Sequence, residues 1–283
     1  MGKMTRRDAM LSLGAAASLA ARASCAAGSG ASGFVPSAPM DVYAKIRCSL
    51  SDELVPFWYR GQAMVALQND IPRPILGVEG FSYTRFSRNT DGSWLTKLIE
   101  VGYFTDLATG QVVDEIVNRV TGLRIKPQHF ISPVQAFGVN VDGSVTSDHT
   151  LPPPSEFVGR VWQPLRQGTE IWVDEDMLAR LPSDMLPPTI REPGPSRMLT
   201  LGSMTTYRSS VADVNNPRVA RAPCTFHLQE LASMPGWFGM GDVVGKQMWR
   251  LSGRKLPSIA EIPALLRVRI ERDHPDFISK PGI

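Results

Sequence analysis

The sequence holds few of the residues that carry readily recognised chemistry. Of 283 residues only four are histidine and three are cysteine. The histidines, at 129, 149, 227 and 274, show no HExxH or His-x-His spacing, so nothing asks for a metal. No CxxC occurs, which argues against a zinc ribbon, a thioredoxin-like pair or c-type haem attachment. A phosphate loop, a dinucleotide-binding glycine pattern and a GxSxG elbow are also missing. Gly239 to Gly245 is glycine-rich but follows no strand of a βαβ unit. No internal repeat is found. The expectation is a protein that uses no metal and no organic cofactor.

What is present is a globular composition, 43% hydrophobic and 20% charged, with 24 glycines and 23 prolines favouring many turns over long helices. The formal net charge of +3 is unevenly placed. Residues 1–27 contain Lys3, Arg6, Arg7 and Arg22 against Asp8, which leaves 26 basic and 26 acidic residues in the remainder. A neutral body gives no reason to expect nucleic acid or an anionic surface as partner. Arg6-Arg7, the weakly apolar run Ala9 to Ala21 and the small residues Ala23 to Gly33 are ordered like an export signal of the twin-arginine kind. The apolar run is about 12 residues, short of the roughly 20 that a spanning helix needs. Arg22, three residues before Cys25, speaks against a lipoprotein anchor. The expectation is a signal over residues 1–30, the twin-arginine export machinery as partner, a periplasmic location and no membrane anchor in the mature form. Cys48 and Cys224 would then face an oxidising compartment, either paired or as two separate buried small hydrophobes.

From Phe57 onward short runs rich in aromatic and β-branched residues alternate with turn signals such as Asp91-Gly92, Thr121-Gly122 and Asp142-Gly143. Phe57–Leu67, Ile75–Phe86, Trp94–Phe104, Gln111–Asn118 and Leu123–Phe130 predict an antiparallel meander. Phe157–Trp162, Thr169–Val173, Met198–Val211, Thr225–Leu231 and Gln247–Leu251 add further strands. Leu151–Pro154 and Leu181–Pro195 are proline-dense and predict long loops. Ser258 and Glu261 have capping-box spacing ahead of Ile262, Leu265, Leu266 and Ile270, so a short helical segment is expected near the end, broken at Pro263, which belongs in the first turn of a second helix. The fold class predicted is mainly β, an antiparallel barrel forming one domain over residues 31–283.

Strand alternation places Glu79, Phe81, Tyr83 and Arg85 on one face of their run. A Glu and an Arg with two aromatics between them suit either a pocket wall or a solvated outer face. Tyr103 shares a face with Lys97, Ile99 and Val101. Tyr207 and Arg208 are adjacent, so they point to opposite faces. His227 lies between Phe226 and Leu228 and is either a hydrogen-bonded structural residue or a proton carrier. Met234 to Asp242 concentrates bulky apolar groups, including Trp237 and Met240, among glycines. Such a loop either touches a ligand or caps a core.

Several motifs together resemble a known family. They are Val78-Glu79-Gly80-Phe81 with Arg85, Gly102-Tyr103-Phe104-Thr105-Asp106 with Thr109-Gly110, and Asn118 with Thr121-Gly122. Pro235-Gly236-Trp237 with Met240-Gly241-Asp242, then Gly253-Arg254-Lys255, complete the set from about Pro56 to Pro263. The group is bacterial, often twin-arginine exported, and carries a domain-of-unknown-function label. The resemblance implies a lipocalin-like barrel, and some relatives are tied to catabolism of lignin-derived aromatics, including a lyase that releases formaldehyde from a phenylcoumaran side chain. It implies a cofactor-independent lyase or isomerase on a small aromatic or apolar molecule, with Glu79, Arg85 and Tyr103, which fall in these motifs, as catalytic candidates. His227, outside the motifs, joins them as a group able to carry protons. Phe81, Tyr83, Tyr207, Arg208, Trp237 and Met240 are the candidates for holding substrate. The alternative is a barrel that only binds or carries an apolar ligand, and a homo-oligomer is compatible with either.

Overall fold

The computed structural model describes residues 33–147, 154–182, 198–241 and 243–283. The expected export signal, His149 and most of the two proline-dense stretches lie outside the described residues, although Leu181 and Pro182 end a strand.

Among the described residues the first element is helix α1 (Pro39–Arg47). The strands β1 (Val55–Leu67), β2 (Arg73–Arg88) and β3 (Trp94–Thr105) follow, each joined to the next by an antiparallel ladder. Three two-residue strands come next, β4 (Ile116–Val117), β5 (Arg124–Ile125) and β6 (Phe130–Ile131). Then come β7 (Gln135–Val139), β8 (Ser144–Ser147), β9 (Glu156–Val161), β10 (Leu165–Gln167) and β11 (Glu170–Pro182). β12 (Met198–Ser210), helix α2 (Val211–Asn215), β13 (Thr225–Ala232), β14 (Gly245–Lys255) and helix α3 (Ala264–Asp273) complete the fold.

Ten of these strands form a closed antiparallel ring in the order β11-β12-β13-β14-β1-β2-β3-β7-β8-β9, sealed by β9 against β11. The barrel and the C-terminal helix agree with the fold class expected. The ring has two more strands than the eight of a lipocalin. Its first long strand lies beside its last, with β1 paired to β14 from Phe57↔Lys255 to Leu67↔Gly245.

Three details differ from expectation. Gln111–Asn118 and Leu123–Phe130 supply no staves. Asn118 Oδ1 accepts from the backbone of Val120 and Thr121, and Gly122 turns the chain at φ 74°, so little extended length remains before Pro127. The resulting β4–β5 hairpin caps one end of the barrel, with Ile125 and Ile116 against Met234, Phe238 and Met240. The missing staves are β7 and β8 instead. Helix α1 was not expected, although its signals are ordinary: Pro39 opens it, Asp41 lies in the first turn, and Lys45 and Arg47 lie in the last.

α1 stoppers the opposite end. Met40, Tyr43, Ala44 and Ile46 pack on Phe57, Phe86, Trp94, Val139, Val173 and Tyr207. Two lysines tie it in place: Lys255 Nζ donates to the carbonyls of Lys45, Cys48 and Ala222 at 3.1, 2.6 and 2.9 Å, and Lys45 Nζ donates to those of Phe34 and Asn216. Burial pushes the Lys255 ammonium down to about 8. Cys48 and Cys224 are buried and unpaired in this core. α3 and the tail after it cover the outside of β2 and β3, where Leu266, Ile270, Phe277 and Ile278 bury Phe81, Tyr83, Val101 and Tyr103. Each such apolar side chain contributes about 1.5–3 kcal/mol.

Candidate functional site

The ladder registers decide which side chains enter the barrel. Tyr59 lies opposite Gly80 and Gly253, and Gly253 opposite Phe226, which faces Tyr207, which faces Val173. Tyr207 and Val173 belong to the interior core, so this rung points inward together with every second residue on either side. The inward set includes Ser82 and Thr84 on β2, Glu100 on β3, Glu175 on β11, Leu228 and Glu230 on β13, and Trp249 on β14. A ring of eight staves is just filled by its own side chains, and ten enclose more space. Glu100, Phe226, Leu228, Glu230 and Trp249 face inward and keep partial solvent access, and the inward Leu201 near the far rim is 40% exposed. The bore is therefore incompletely filled at these positions.

Two carboxyl groups dominate this space. Glu230 sits directly across from Trp249. Burial, with the neighbouring Glu100 adding to it, pushes its carboxyl up to about 7. Glu100 is also raised, chiefly by burial, and accepts 3.2 Å from the Tyr59 hydroxyl. Gly80 makes that bond geometrically available. A Cβ at residue 80 would lie 2.3 Å from the Tyr59 ring and oxygen, so only the bare backbone lets the phenol lie across β2 to reach β3. Phe104 and Trp249, with ring centroids 5.6 Å apart, supply an aromatic wall.

Toward the stoppered end the polar groups come from α1. The Tyr43 hydroxyl donates to Glu175. Arg47 Nη1 donates 3.0 Å to Thr84 Oγ1, and its guanidinium lies 5.1 Å from the Phe57 ring centroid and 5.0 Å from that of Tyr207. Chemically the bore offers an aromatic channel, a cation at its inner end and two carboxyl groups of raised affinity for protons beside a phenol. Among the described residues no three His, Cys, Asp or Glu side chains form a metal-ligating group.

Most residues singled out from the sequence lie elsewhere. Glu79, Phe81, Tyr83 and Arg85 are on the outer face of β2, the second of the two placements their alternation allows. Trp58 Nε1 donates 2.9 Å to Glu79, Tyr83 donates 2.9 Å to the Ile278 carbonyl, and Arg85 pairs with Asp52 at 2.8 Å. Tyr103 is outside too, beneath α3. Burial, followed by the nearby Asp273, pushes its hydroxyl up to about 12, and the Arg269 guanidinium lies 5.3 Å from its ring. His227 is exposed on the outer face with Nδ1 2.9 Å from Ser252 Oγ, and Arg208 is exposed on the outside of β12. Trp237 and Met240 belong to the cap over the barrel end: Trp237 meets Phe104 edge-on at 4.8 Å, and Met240 is buried against Asn118. Of the ten, Tyr207 stands at an inward strand position, and Trp237 touches the bore's Phe104 from the cap.

Glu100, Glu230, Tyr59 and Arg47 escaped the sequence reading. A usable signal exists for the first two. On the alternating faces Phe226-Leu228-Glu230-Ala232 and Leu98-Glu100-Gly102-Phe104, one carboxylate interrupts an otherwise apolar or small series.

Fold and bore together define a closed antiparallel barrel with an ionisable, solvent-reached interior. The chain belongs to the family described as Protein of unknown function (DUF1838), whose model matches residues 52–282 and so covers every stave while leaving out α1. No curated protein matches the chain.

Proposed function

We propose that the protein is an enzyme that takes a small aromatic molecule into the bore and moves protons with Glu230, Glu100 and Tyr59. The observation that carries this reading is the carboxyl pair: two inward glutamates, both raised in proton affinity, in a cavity that solvent reaches. Groups tuned to titrate near neutral pH gather where proton transfer is the task.

Such a pair suits a lyase or isomerase. In the finer reading, supported by the resemblance to lignin-catabolic relatives, a hydroxymethyl side chain leaves as formaldehyde. A carboxylate takes the O–H proton, the oxygen lone pair closes to C=O, and the C–C bond breaks. The released electron pair passes into a conjugated acceptor, which takes a proton from the second carboxyl group, so one acid and one base suffice. The same resemblance and the order of residues 1–30 support export to the periplasm by the twin-arginine route.

The test is incubation of the purified protein with a panel of lignin-derived aromatic dimers, with released formaldehyde assayed for the wild type, Glu230→Gln and Glu100→Gln. Turnover by the wild type that falls about 10²-fold or more in either variant is the expected result. Tight binding without turnover across the panel would assign the barrel to ligand carriage instead.

A further inference from the structure

Arg47 ends α1 at the inner end of the bore, where the Glu175 and Glu100 carboxyl groups act on its charge from a distance. No carboxylate of the described residues forms an ion pair with it. The Tyr43 hydroxyl donates to Glu175, and the Tyr59 hydroxyl donates to Glu100. The one hydrogen bond Arg47 makes with a described residue is to Thr84. A guanidinium has five N–H donors in a fixed fork, so most of its capacity is open while the side chain keeps partial access to solvent. The two lysines at this end are committed to backbone carbonyls, Lys255 to three and Lys45 to two. The rings of Phe57 and Tyr207 hold the guanidinium in position and leave its edge free. A fork of this kind, held between two aromatic rings and only partly reached by solvent, matches a planar oxyanion.

The geometry points to an aromatic oxyanion, a carboxylate or phenolate on a ring, as the ligand class. Its charged oxygen docks on Arg47, and its ring lies along the Phe57, Phe226 and Tyr207 row. These rings stand 6.0 Å apart, Phe57 to Phe226 and Phe226 to Tyr207, edge-on or tilted, which offers a channel wall rather than a closed stack. The far end of such a molecule is then directed along the bore toward Glu100 and Glu230. The inference rests on the bore being the substrate site, and it adds what the carboxyl pair alone does not specify: the charge of the ligand and the direction in which it enters.

Calorimetric titration at pH 8 with two matched pairs tests it: benzoate against benzamide, and 4-nitrophenolate against 4-nitroanisole. The wild type is expected to prefer at least one anion over its neutral partner by about 10-fold or more, the range of a charge-assisted hydrogen bond. Which pair shows the preference separates carboxylate from phenolate. In Arg47→Met the preference is expected to disappear while the neutral probe binds as before, which also reports that the variant is folded. Arg47→Lys, which keeps the charge but not the fork, should retain only part. Equal binding of both members of each pair by the wild type overturns the inference, as does a preference that survives Arg47→Met. Glu230→Gln separates this outcome from the fate of the catalytic reading. A variant without turnover that still prefers the anion supports the dock, and a wild type that turns over aromatics with no such preference refutes the dock while sparing catalysis.

Discussion

The outer face of β2 carries Glu79, Phe81, Tyr83 and Arg85, while the barrel's interior carries Glu100, Phe226, Tyr59 and Arg47. The same four residue types thus stand on the two sides of one sheet. Outside, every polar group is engaged: Glu79 by Trp58, Tyr83 by the Ile278 carbonyl, Arg85 by Asp52. Inside, Arg47 has donors to spare, and Glu230 has no protein partner strong enough to keep its carboxyl at the ordinary affinity. Residue type is therefore a poor guide to a site in this fold. Unused hydrogen-bonding capacity in a reachable cavity is a better one.

The sharpest break of this comparison is a matched pair of substitutions. Glu230→Gln is expected to lower kcat by about 10²- to 10⁴-fold, whereas Glu79→Gln on the outer face should change it by less than about threefold. Equal losses would mean that the face does not matter. Next in size, Phe277→Ala removes the ring that buries Phe81 and Tyr83, and urea unfolding should show a loss of about 3–5 kcal/mol with the bore chemistry intact. Tyr43→Phe leaves the buried Glu175 without its hydroxyl donor, at about 1–3 kcal/mol by the same measurement.

Glu230 also sets a pH signature. Its carboxyl rises from an ordinary 4.5 to about 7, because burial, and then Glu100, disfavour its charge. Between those values the folded protein holds a proton that the unfolded chain has released, so this group's contribution to stability falls as pH rises through the window. The Tm of the wild type relative to Glu230→Gln should accordingly decline from pH 5 to pH 8. Turnover that needs the protonated acid should fade above about pH 7. Smallest of all, Arg85→Ala and His227→Ala on the exposed surface should each shift stability by less than about 1 kcal/mol and leave kcat nearly unchanged.

Much of the barrel was legible from periodicity. β1, β2, β3, β12, β13 and β14 fall on runs where aromatic and β-branched residues alternate between turn signals. The C-terminal helical segment follows Ser258, which caps the short turn Ile259–Glu261, while α3 begins after Pro263 with no side-chain cap. The inward face was not legible, for a physical reason. α3 and the tail make the outside of β2 as buried as the inside, with Phe81 0% and Tyr83 4% exposed against Val78 2% and Phe86 1%, so burial marks both faces alike. Phe81 and Tyr83 lie outside, where α3 must be covered, and Gly80, Ser82 and Thr84 lie inside, where Gly80 leaves room for the Tyr59 ring. The hairpin at 116–125 read as two staves because its apolar residues are those of a strand. They pack into a cap instead, on a turn fixed by Asn118 and Gly122.

The pairing of β1 with β14 bears on how the protein is made. β1 leaves the ribosome with one neighbour close behind, yet the partner for its other edge starts only at Gly245, and Lys255, which anchors α1, follows at the end of that strand. For most of synthesis β1 therefore presents an unsatisfied row of amide and carbonyl groups to whatever strand comes near. A ribosome that stalls before Gly245 releases an open sheet with two adhesive margins rather than a smaller barrel. The cell receives either a complete vessel or a fragment fit only for degradation.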